Sequence, residues 1–192
     1  MDLVKLVNKK NPLSSDFIPL FLKQDPISKV WLCNEALHAF NGMNTALTAE
    51  HLEPLALISG YRSYDYQQKL YDRKVGFFIS RGLSEESSKQ KAGSIVAFPG
   101  CSEHQLGLAA DVTTFSMKQL EDPLTEAFAC TPEGIWLSQN AHHYGFVLRY
   151  PKDKMSITEI TYEPWHYRYV GKQHALSMYA LHMCLEEYVL II

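Results

Sequence analysis

The sequence predicts an α+β fold, with a central antiparallel or mixed sheet and flanking helices. Short apolar runs of strand length are intermixed with stretches of helical spacing, and several of the strands are joined by short connections. This order favours α+β over a doubly wound parallel sheet, in which each strand is followed by a crossover helix. The chain has 192 residues and is 46% hydrophobic, which suits one domain, 1–192, with its own core.

The first half of the chain begins with an irregular arm, because residues 8–26 carry three prolines. Apolar residues at helical spacing then predict a helix over 28–42, with Gly42 near its end. The run 55–59 is a short buried strand that breaks at Gly60. Ser63 is placed to cap a helix that continues to about residue 78. Tyr66, Leu70 and Tyr71 are expected on one face of this helix, with Gln67 and Gln68 beside them.

The second half alternates in the same way. Ser84 is placed to start a helix within the polar segment 80–95. The remaining predicted elements are a strand over 108–114, a helix over 132–144 that ends at Gly145, a strand over 146–150, strand or loop segments at 160–162 and 167–170, and a C-terminal helix over 174–188.

Composition excludes several partners. The net charge is −3, so there is no basic field and no nucleic-acid partner is expected. No apolar run approaches the roughly 20 residues that cross a bilayer, so no membrane span is expected. The first ten residues lack a signal-peptide pattern, which predicts a cytoplasmic location. The four widely spaced cysteines, Cys33, Cys101, Cys130 and Cys184, indicate reduced thiols rather than a disulfide framework or a cysteine zinc site.

Two separated motifs together contain the ligands of a catalytic zinc site. His104 and Asp111 are seven residues apart, and His166 lies far along the chain. Gly107 argues against a single helix, so His104 is expected on a loop and Asp111 on the strand that follows. Three protein ligands leave a fourth position open for water, which is typical of catalytic rather than structural zinc. Any single histidine is more often structural; these two are distinguished by their surroundings.

Glu163 is the candidate catalytic base. It precedes His166 by three residues, and Pro164 disfavours a helical turn there. We therefore expect the carboxylate next to the metal, where it can take a proton from water and pass it to a leaving amine. Trp165 is either a wall of the site or an ordinary core indole, and the two interpretations have about equal weight.

Arg62 follows a predicted strand and precedes a predicted helix, a position that often carries functional groups. Its guanidinium could stabilise an oxyanion or hold a substrate carboxylate. Gln67, in the first turns of the helix, is placed to add a hydrogen bond. Cys101 is a weak candidate nucleophile, because no Cys–His–Asn arrangement is visible.

The two motifs, Ser-x-His-x-x-Gly-x-Ala-x-Asp over 102–111 and Glu-Pro-Trp-His over 163–166, resemble the VanY family of zinc D-alanyl-D-alanine carboxypeptidases. The resemblance covers most of the chain, including Ser-Gly-Tyr-Arg-Ser at 59–63. Within the family, the chain looks most like the soluble VanXY enzymes. The resemblance implies the zinc D-Ala-D-Ala peptidase (hedgehog/VanX-like) fold. It also implies a set of residue roles: zinc ligands His104, Asp111 and His166, catalytic base Glu163, Arg62 near the scissile carbonyl, and substrate-binding residues Ser102 and Gln67.

The resemblance implies a small peptide substrate and hydrolysis of its C-terminal D-alanine, with cleavage of the free D-Ala-D-Ala dipeptide as a further activity. Three alternatives stay open. They are an L,D-carboxypeptidase acting on tetrapeptides, a cell-wall endopeptidase with the same metal site, and a zinc-stabilised binding module without catalysis. The polar segment 80–95 is expected to shape the end of the groove beyond the scissile bond, where a closed groove would favour a carboxypeptidase and an open one an endopeptidase.

Overall fold

The computed structural model describes residues 2–192, so Met1, counted in the predicted domain and N-terminal segment, lies outside the described residues. The strands are β1 (Leu22–Gln24), β2 (Trp31–Cys33), β3 (Leu55–Ser59), β4 (Ala109–Thr114), β5 (Phe146–Leu148) and β6 (His166–Tyr169). The α-helices are α1 (Asn34–Ala49), α2 (Tyr64–Ile79), α3 (Glu85–Ala92), α4 (Pro132–Asn140), α5 (Met155–Thr158), α6 (Lys172–Leu181) and α7 (Leu185–Tyr188). Short 3₁₀ helices span Glu103–Leu106, Met117–Gln119, Glu126–Cys130, Ala141–Tyr144 and Lys152–Lys154.

Four strands form the central sheet in the order β3-β4-β6-β5, and every neighbouring pair is antiparallel. A separate antiparallel pair joins β1 to β2. The predicted α+β class is therefore confirmed, and the sheet is antiparallel rather than mixed.

The two faces of the sheet carry different chemistry, because side chains alternate along each strand. On β4, Ala110 and Val112 belong to the main apolar core, and on β6 Tyr167 lies opposite Ala110 on that same face. The alternate residues Asp111 and His166 are directly opposite each other on the other face. One face of the sheet therefore makes the core, and the other carries polar groups.

Three apolar clusters hold the helices in place. The main core packs α1 and α4 against the core face of the sheet. A second cluster joins α6 and α7 to β5, and a third joins α2 to α3. The sheet therefore packs against α1 and α4 on its core face and against the C-terminal helices at β5, while α2 and α3 pack on each other.

The polar caps explain where three helices begin. The side chains of Ser63, Ser84 and Thr131 accept hydrogen bonds from the backbone N–H groups of Tyr66, Ser87 and Gly134. Each bond satisfies an N–H group that has no partner inside its helix. The predicted starts of α2 and α3 are confirmed, as is the strand Leu55–Ser59.

The predicted helix over 28–42 is wrong at both ends. Residues Trp31–Cys33 form β2 and pair with β1, so the helix starts only at Asn34. Their apolar side chains fit helical spacing equally well, and pairing with a distant segment decides the conformation. Gly42 lies inside α1, which continues to Ala49.

Other boundaries also differ from the prediction. The C-terminal helix is two helices, because His182 adopts a left-handed conformation with φ of 52° and ends α6. Residues 160–162 are not part of any strand. Tyr66 is 53% exposed, whereas Gln67 is buried on the inner face of α2. None of the helices between residues 2 and 192 has the length and apolar character of a membrane span.

Gly107 ends the 3₁₀ helix Glu103–Leu106 in the left-handed region, with φ of 69°. A Cβ atom there would lie 2.8 Å from Leu22 Cδ2 and 3.1 Å from Cys33 Sγ. The Gly107→Ala substitution should therefore lower the free energy of unfolding by about 1–3 kcal/mol, measured by urea denaturation. In contrast, Gly76→Ala within α2 meets no atom within 4 Å and should raise it by about 0.5–1 kcal/mol. Equal stability of the two variants would contradict this explanation.

Candidate metal centre and catalytic site

Three buried side chains converge on the polar face of the sheet. Asp111 on β4 and His166 on β6 are cross-strand partners, and His104 comes from the 3₁₀ helix that precedes β4. One ligand atom from each lies within 4.8 Å of the other two, so the group could hold a metal ion. The predicted ligand trio is therefore brought together, from a loop-like segment and two strands.

The orientation of these side chains suits a cation between them. His104 Nε2 lies 3.2 Å from Asp111 Oδ2, and His166 Nδ1 lies 3.1 Å from Asp111 Oδ1. Asp111 Oδ1 is buried and accepts no hydrogen bond from the described part of the chain. A buried carboxylate oxygen without a donor is costly, and a metal ion shared with the two imidazoles would satisfy it.

The outer ring nitrogens fix which atoms face the centre. His104 Nδ1 lies 2.6 Å from the Gly60 carbonyl, which can only accept, so Nδ1 donates and Nε2 is the metal-facing atom. His166 Nε2 lies 2.9 Å from Glu103 Oε1, so Nε2 donates to that carboxylate and Nδ1 faces the centre. When His166 is neutral, both rings thus present a lone pair to the same point.

The surroundings of the trio favour different protonation states of the two rings, neutral for His104 and charged for His166. Burial and the nearby Arg62 guanidinium lower the pKa of His104, which favours a neutral ring. Burial also opposes charge on His166, but the Asp111 and Glu103 carboxylates outweigh it and raise the pKa of His166 to about 9. Without a metal, the centre therefore attracts a positive charge at His166.

Glu163 lies beside the trio. Its Oε2 is 3.4 Å from His166 Nδ1, and the turn that links them is closed by the His166 N–H donating to the Glu163 carbonyl at 3.1 Å. Burial raises the pKa of Glu163 to about 7, with the neighbouring Asp111 carboxylate acting in the same direction and His166 opposing it. A carboxyl group with a pKa near neutral pH can both accept and return a proton there.

Arg62 is held at the edge of the trio by three bonds. Its Nη2 donates to Asp111 Oδ2 at 2.6 Å, its Nε donates to Ser59 Oγ at 2.9 Å, and its backbone N–H donates to the His104 carbonyl at 3.2 Å. A guanidinium has five N–H donors, so three side-chain donors are left for a ligand.

A cleft of about 490 Å³ opens onto the centre. All eight residues singled out from the sequence line it, namely Arg62, Gln67, Ser102, His104, Asp111, Glu163, Trp165 and His166. Gln67 Nε2 donates to the Ala97 carbonyl at 2.8 Å, while its buried Oε1 has no partner within the described residues. Trp165 is partly buried and packs on the core, so it both borders the cleft and supports the fold.

Several other candidates lie elsewhere. Cys101 does not line this cleft, and neither do the six remaining histidines of residues 2–192. His142, for example, stacks on Tyr179 with ring centroids 3.6 Å apart. Of the polar segment 80–95, only Ile95 reaches the cleft wall; the helix α3 itself does not.

Sequence reasoning missed a buried ionic group next to the trio. Glu103 is fully buried and accepts from Arg149 Nε at 2.8 Å and Arg168 Nη1 at 2.9 Å, as well as from His166. Burial raises the pKa of such a carboxyl, but the two arginines and His166 hold the pKa of Glu103 well below its usual range. Two arginines within predicted strands were a signal, since buried arginines require a carboxylate.

Fold and site together define a metallopeptidase-like protein, and comparison with known proteins gives its family. The family model described as VanY, D-alanyl-D-alanine carboxypeptidase, matches residues 29–172. The chain belongs to this family, as the sequence resemblance indicated.

Three curated relatives illustrate the likeness. The chain is 40% identical to the protein YodJ of Bacillus subtilis, over 97% of this chain and 67% of the relative. It is 34% identical to a D-alanyl-D-alanine carboxypeptidase of Enterococcus faecalis, over 96% and 64%. It is 35% identical to the bifunctional D-Ala-D-Ala dipeptidase and carboxypeptidase VanXYC of Enterococcus gallinarum, over 98% and 94%. The chain thus spans about two thirds of the first two relatives.

Solved structures share the fold. VanYB in complex with D-alanine-D-alanine has a TM-score of 0.85 at 33% identity, covering 98% of both chains. A VanY D,D-pentapeptidase variant from a VanB-type resistance cassette, in complex with Zn(II), has a TM-score of 0.83 at 33% identity, covering 98% of this chain and 99% of the other. The LD-carboxypeptidase LdcB has a TM-score of 0.83 at 39% identity, covering 97% and 85%.

Proposed function

We propose that this protein is a zinc-dependent D,D-carboxypeptidase that removes the C-terminal D-alanine from peptidoglycan precursor peptides, in vancomycin resistance or in cell-wall metabolism. The observation that carries the proposal is the His104–Asp111–His166 trio with Glu163 beside it, in a cleft of a VanY-family chain. The similarity to VanXYC extends the proposal to cleavage of the free D-Ala-D-Ala dipeptide.

The residues present fit zinc. Two imidazole nitrogens and one carboxylate oxygen are within 4.8 Å of one another. Asp111 Oδ1 accepts no hydrogen bond within the described residues, and a bound zinc ion would satisfy it. We assign His104 Nε2, Asp111 and His166 Nδ1 as the ligands. When bound, zinc polarises the scissile carbonyl and lowers the pKa of the attacking water.

The chain's own groups handle the proton and the developing charge. Glu163 takes the proton of the attacking water and returns it to the amine of the leaving D-alanine, as the peptide C–N bond breaks. Arg62 donates to the oxyanion that forms on the former carbonyl oxygen. Gln67 Oε1, which lines the cleft without a partner, and Ser102 bind the peptide backbone, and Trp165 excludes water from one wall.

A second candidate is L,D-carboxypeptidase activity on tetrapeptides that end in a single D-alanine. Its support is the 39% identity and TM-score of 0.83 with the LD-carboxypeptidase LdcB. The same trio and base would serve either reaction, so the choice depends on how the cleft receives the residue before the scissile bond.

Domain organisation and location complete the proposal. We propose that residues 1–192 act as one peptidase domain, because the three apolar clusters take residues from elements between β1 and α7. A cytoplasmic location is also proposed, because the four widely spaced cysteines indicate reduced thiols.

Amino-acid release from three substrates tests the proposed activity. They are D-Ala-D-Ala, a muramyl pentapeptide ending in D-Ala-D-Ala, and the tetrapeptide ending in one D-alanine, each assayed with zinc and with a chelator. We expect D-alanine from the pentapeptide, lost with chelator because the ligands then hold no metal, and we expect cleavage of the dipeptide as well. Release from the tetrapeptide alone would replace the proposal by the L,D activity, and release from none would reject both.

The Glu163→Gln variant tests the assigned base. An amide of the same shape cannot accept the water proton, so the turnover rate should fall roughly 10²–10⁴-fold while the zinc content stays at the wild-type level. Glu121→Gln, at an exposed glutamate outside the cleft, is the matched control and should keep full activity. Wild-type turnover in the Glu163 variant would remove it from the mechanism.

The His166→Ala variant tests the ligand set. Losing one of three protein ligands should reduce the zinc retained after gel filtration, measured by elemental analysis, because the remaining ligands bind it more weakly. His38→Ala changes an exposed histidine of α1 and should retain zinc fully. Stoichiometric zinc in the His166 variant would show that another group is the third ligand.

A further inference from the structure

Glu103 is a charged side chain in a place where charge is expensive. Its relative exposure is 0%, and it lies between His166 and two arginines that are themselves buried, Arg149 and Arg168. Burying ionic groups is rarely the most stable solution, because apolar residues of similar volume often serve a core as well or better. The arrangement therefore calls for a contribution other than packing.

The division of the two carboxylate oxygens shows what that contribution is. Oε2 accepts from Arg149 Nε at 2.8 Å and from Arg168 Nη1 at 2.9 Å. Among the groups of residues 2–192, Oε1 accepts only from His166 Nε2, at 2.9 Å. The arginines thus fix the carboxylate, and the carboxylate in turn fixes one nitrogen of the ring.

The other nitrogen of that ring faces the proposed metal position. With the proton held on Nε2, the Nδ1 lone pair points to the side where Asp111 Oδ1 lies 3.1 Å away and Glu163 Oε2 lies 3.4 Å away. A ligand histidine whose second nitrogen donates to a carboxylate is held in one tautomer and orientation, and it becomes a more basic ligand.

The partner histidine is supported differently. His104 Nδ1 donates to a neutral backbone carbonyl, that of Gly60, at 2.6 Å. Only His166 has a full negative charge behind it, so the two imidazoles of the trio are not equivalent.

The carboxylate is braced by both ends of the chain. Arg168 Nη2 donates to the carbonyls of Leu3 and Lys5, each at 3.0 Å. Arg149 donates from Nη1 and Nη2 to both oxygens of Glu186 on α7, at 2.8 and 2.7 Å. The N-terminal segment and the last helix therefore contribute to the position of Glu103.

We infer that Glu103 is the positioning residue for His166: it holds the ring with Nε2 protonated and Nδ1 aimed at the metal, and it strengthens zinc binding. The inference rests on the proposed function, since it concerns the zinc site assigned there. Glu103 does not line the cleft, so it acts through His166 and not on the substrate.

The sharpest test is Glu103→Gln, assayed by competition for zinc with a chromophoric chelator. The two arginines will hold the amide oxygen, which leaves the amide NH₂ facing His166 Nε2. Two donors then oppose each other whenever the ring keeps the tautomer that zinc needs. We expect zinc affinity to fall by about 10- to 100-fold.

Two further variants separate this contact from general loss of a buried charge. Glu186→Gln removes one negative charge beside the same Arg149 but leaves an amide oxygen that still accepts from its guanidinium and holds it in place. This variant does not touch His166, so its zinc affinity should stay near the wild-type value. Glu103→Asp keeps the negative charge beside both arginines, but its shorter side chain withdraws the carboxylate from His166 Nε2, so zinc binding should weaken. This variant provides the test if Glu103→Gln does not fold.

A spectroscopic readout follows the contact itself. In the zinc-loaded wild-type protein, the buried His166 Nε2–H should give a downfield proton resonance that is protected from exchange, because it donates to a carboxylate. Glu103→Asp and Glu103→Gln should lose or shift this resonance, whereas Glu186→Gln should retain it. A role limited to fold stability would not produce this pattern.

The outcomes distinguish this inference from the proposed function. If the wild-type protein retains no zinc and releases no D-alanine, the proposed function fails and the inference fails with it. If the wild type does both, but the folded Glu103 variants keep wild-type zinc affinity and an unchanged resonance, the inference alone is wrong. Equal weakening by Glu186→Gln would also overturn it, since the effect would then not depend on contact with His166.

Discussion

The pairing of β4 with β6 is the constraint on which the site depends. Asp111 and His166 are direct cross-strand partners, and two positions along the same ladder Ala109 lies opposite Arg168. Side chains directly opposite on one face of an antiparallel pair are neighbours, so the register alone brings a carboxylate and an imidazole together. A slip of one residue would turn Asp111 into the apolar core, and the core residues Ala110 and Tyr167 hold the register by packing on the other face.

A polar centre of this density is stable only because almost every buried charge has a partner. Arg62 donates to Asp111, and Glu103 balances two arginines and His166. One oxygen of Asp111, Oδ1, accepts no hydrogen bond within residues 2–192, and it lies where the three proposed ligands meet. Unsatisfied buried atoms are rare in native proteins, and this one is explained by a cation. The same atom, Asp111 Oδ1, is therefore both the unsatisfied oxygen of the structure and a candidate zinc ligand of the proposed mechanism.

Much of the site was predictable because its ligands lie in short motifs with unusual composition. His104, Asp111, His166 and Glu163 were found from spacing and residue type, and all of them line one cleft. Glu103 was missed because a glutamate beside a candidate ligand looks like a solvated surface residue. Its role appears only when β5 and β6 bring Arg149 and Arg168 to it.

The fold was predictable to a similar extent. Caps such as Ser63 act locally and were identified correctly. The segment Trp31–Cys33 was assigned to a helix because its strand pairing involves a partner outside the local window. Likewise, the break between the last two helices lies at His182, which adopts a left-handed conformation although it is not a glycine, so residue type gave no sign of it. The helix caps were thus found from local chemistry, whereas the strand at Trp31–Cys33 and the break at His182 were not.

The proposed activity depends on zinc held by His104, Asp111 and His166. An anomalous difference map at the zinc absorption edge, from crystals of the protein purified without chelator, tests this assignment. We expect one peak bonded to His104 Nε2, an oxygen of Asp111 and His166 Nδ1, with Zn–N distances of about 2.0–2.1 Å. A map with no peak at this point, or a peak bonded through His166 Nε2, would contradict it.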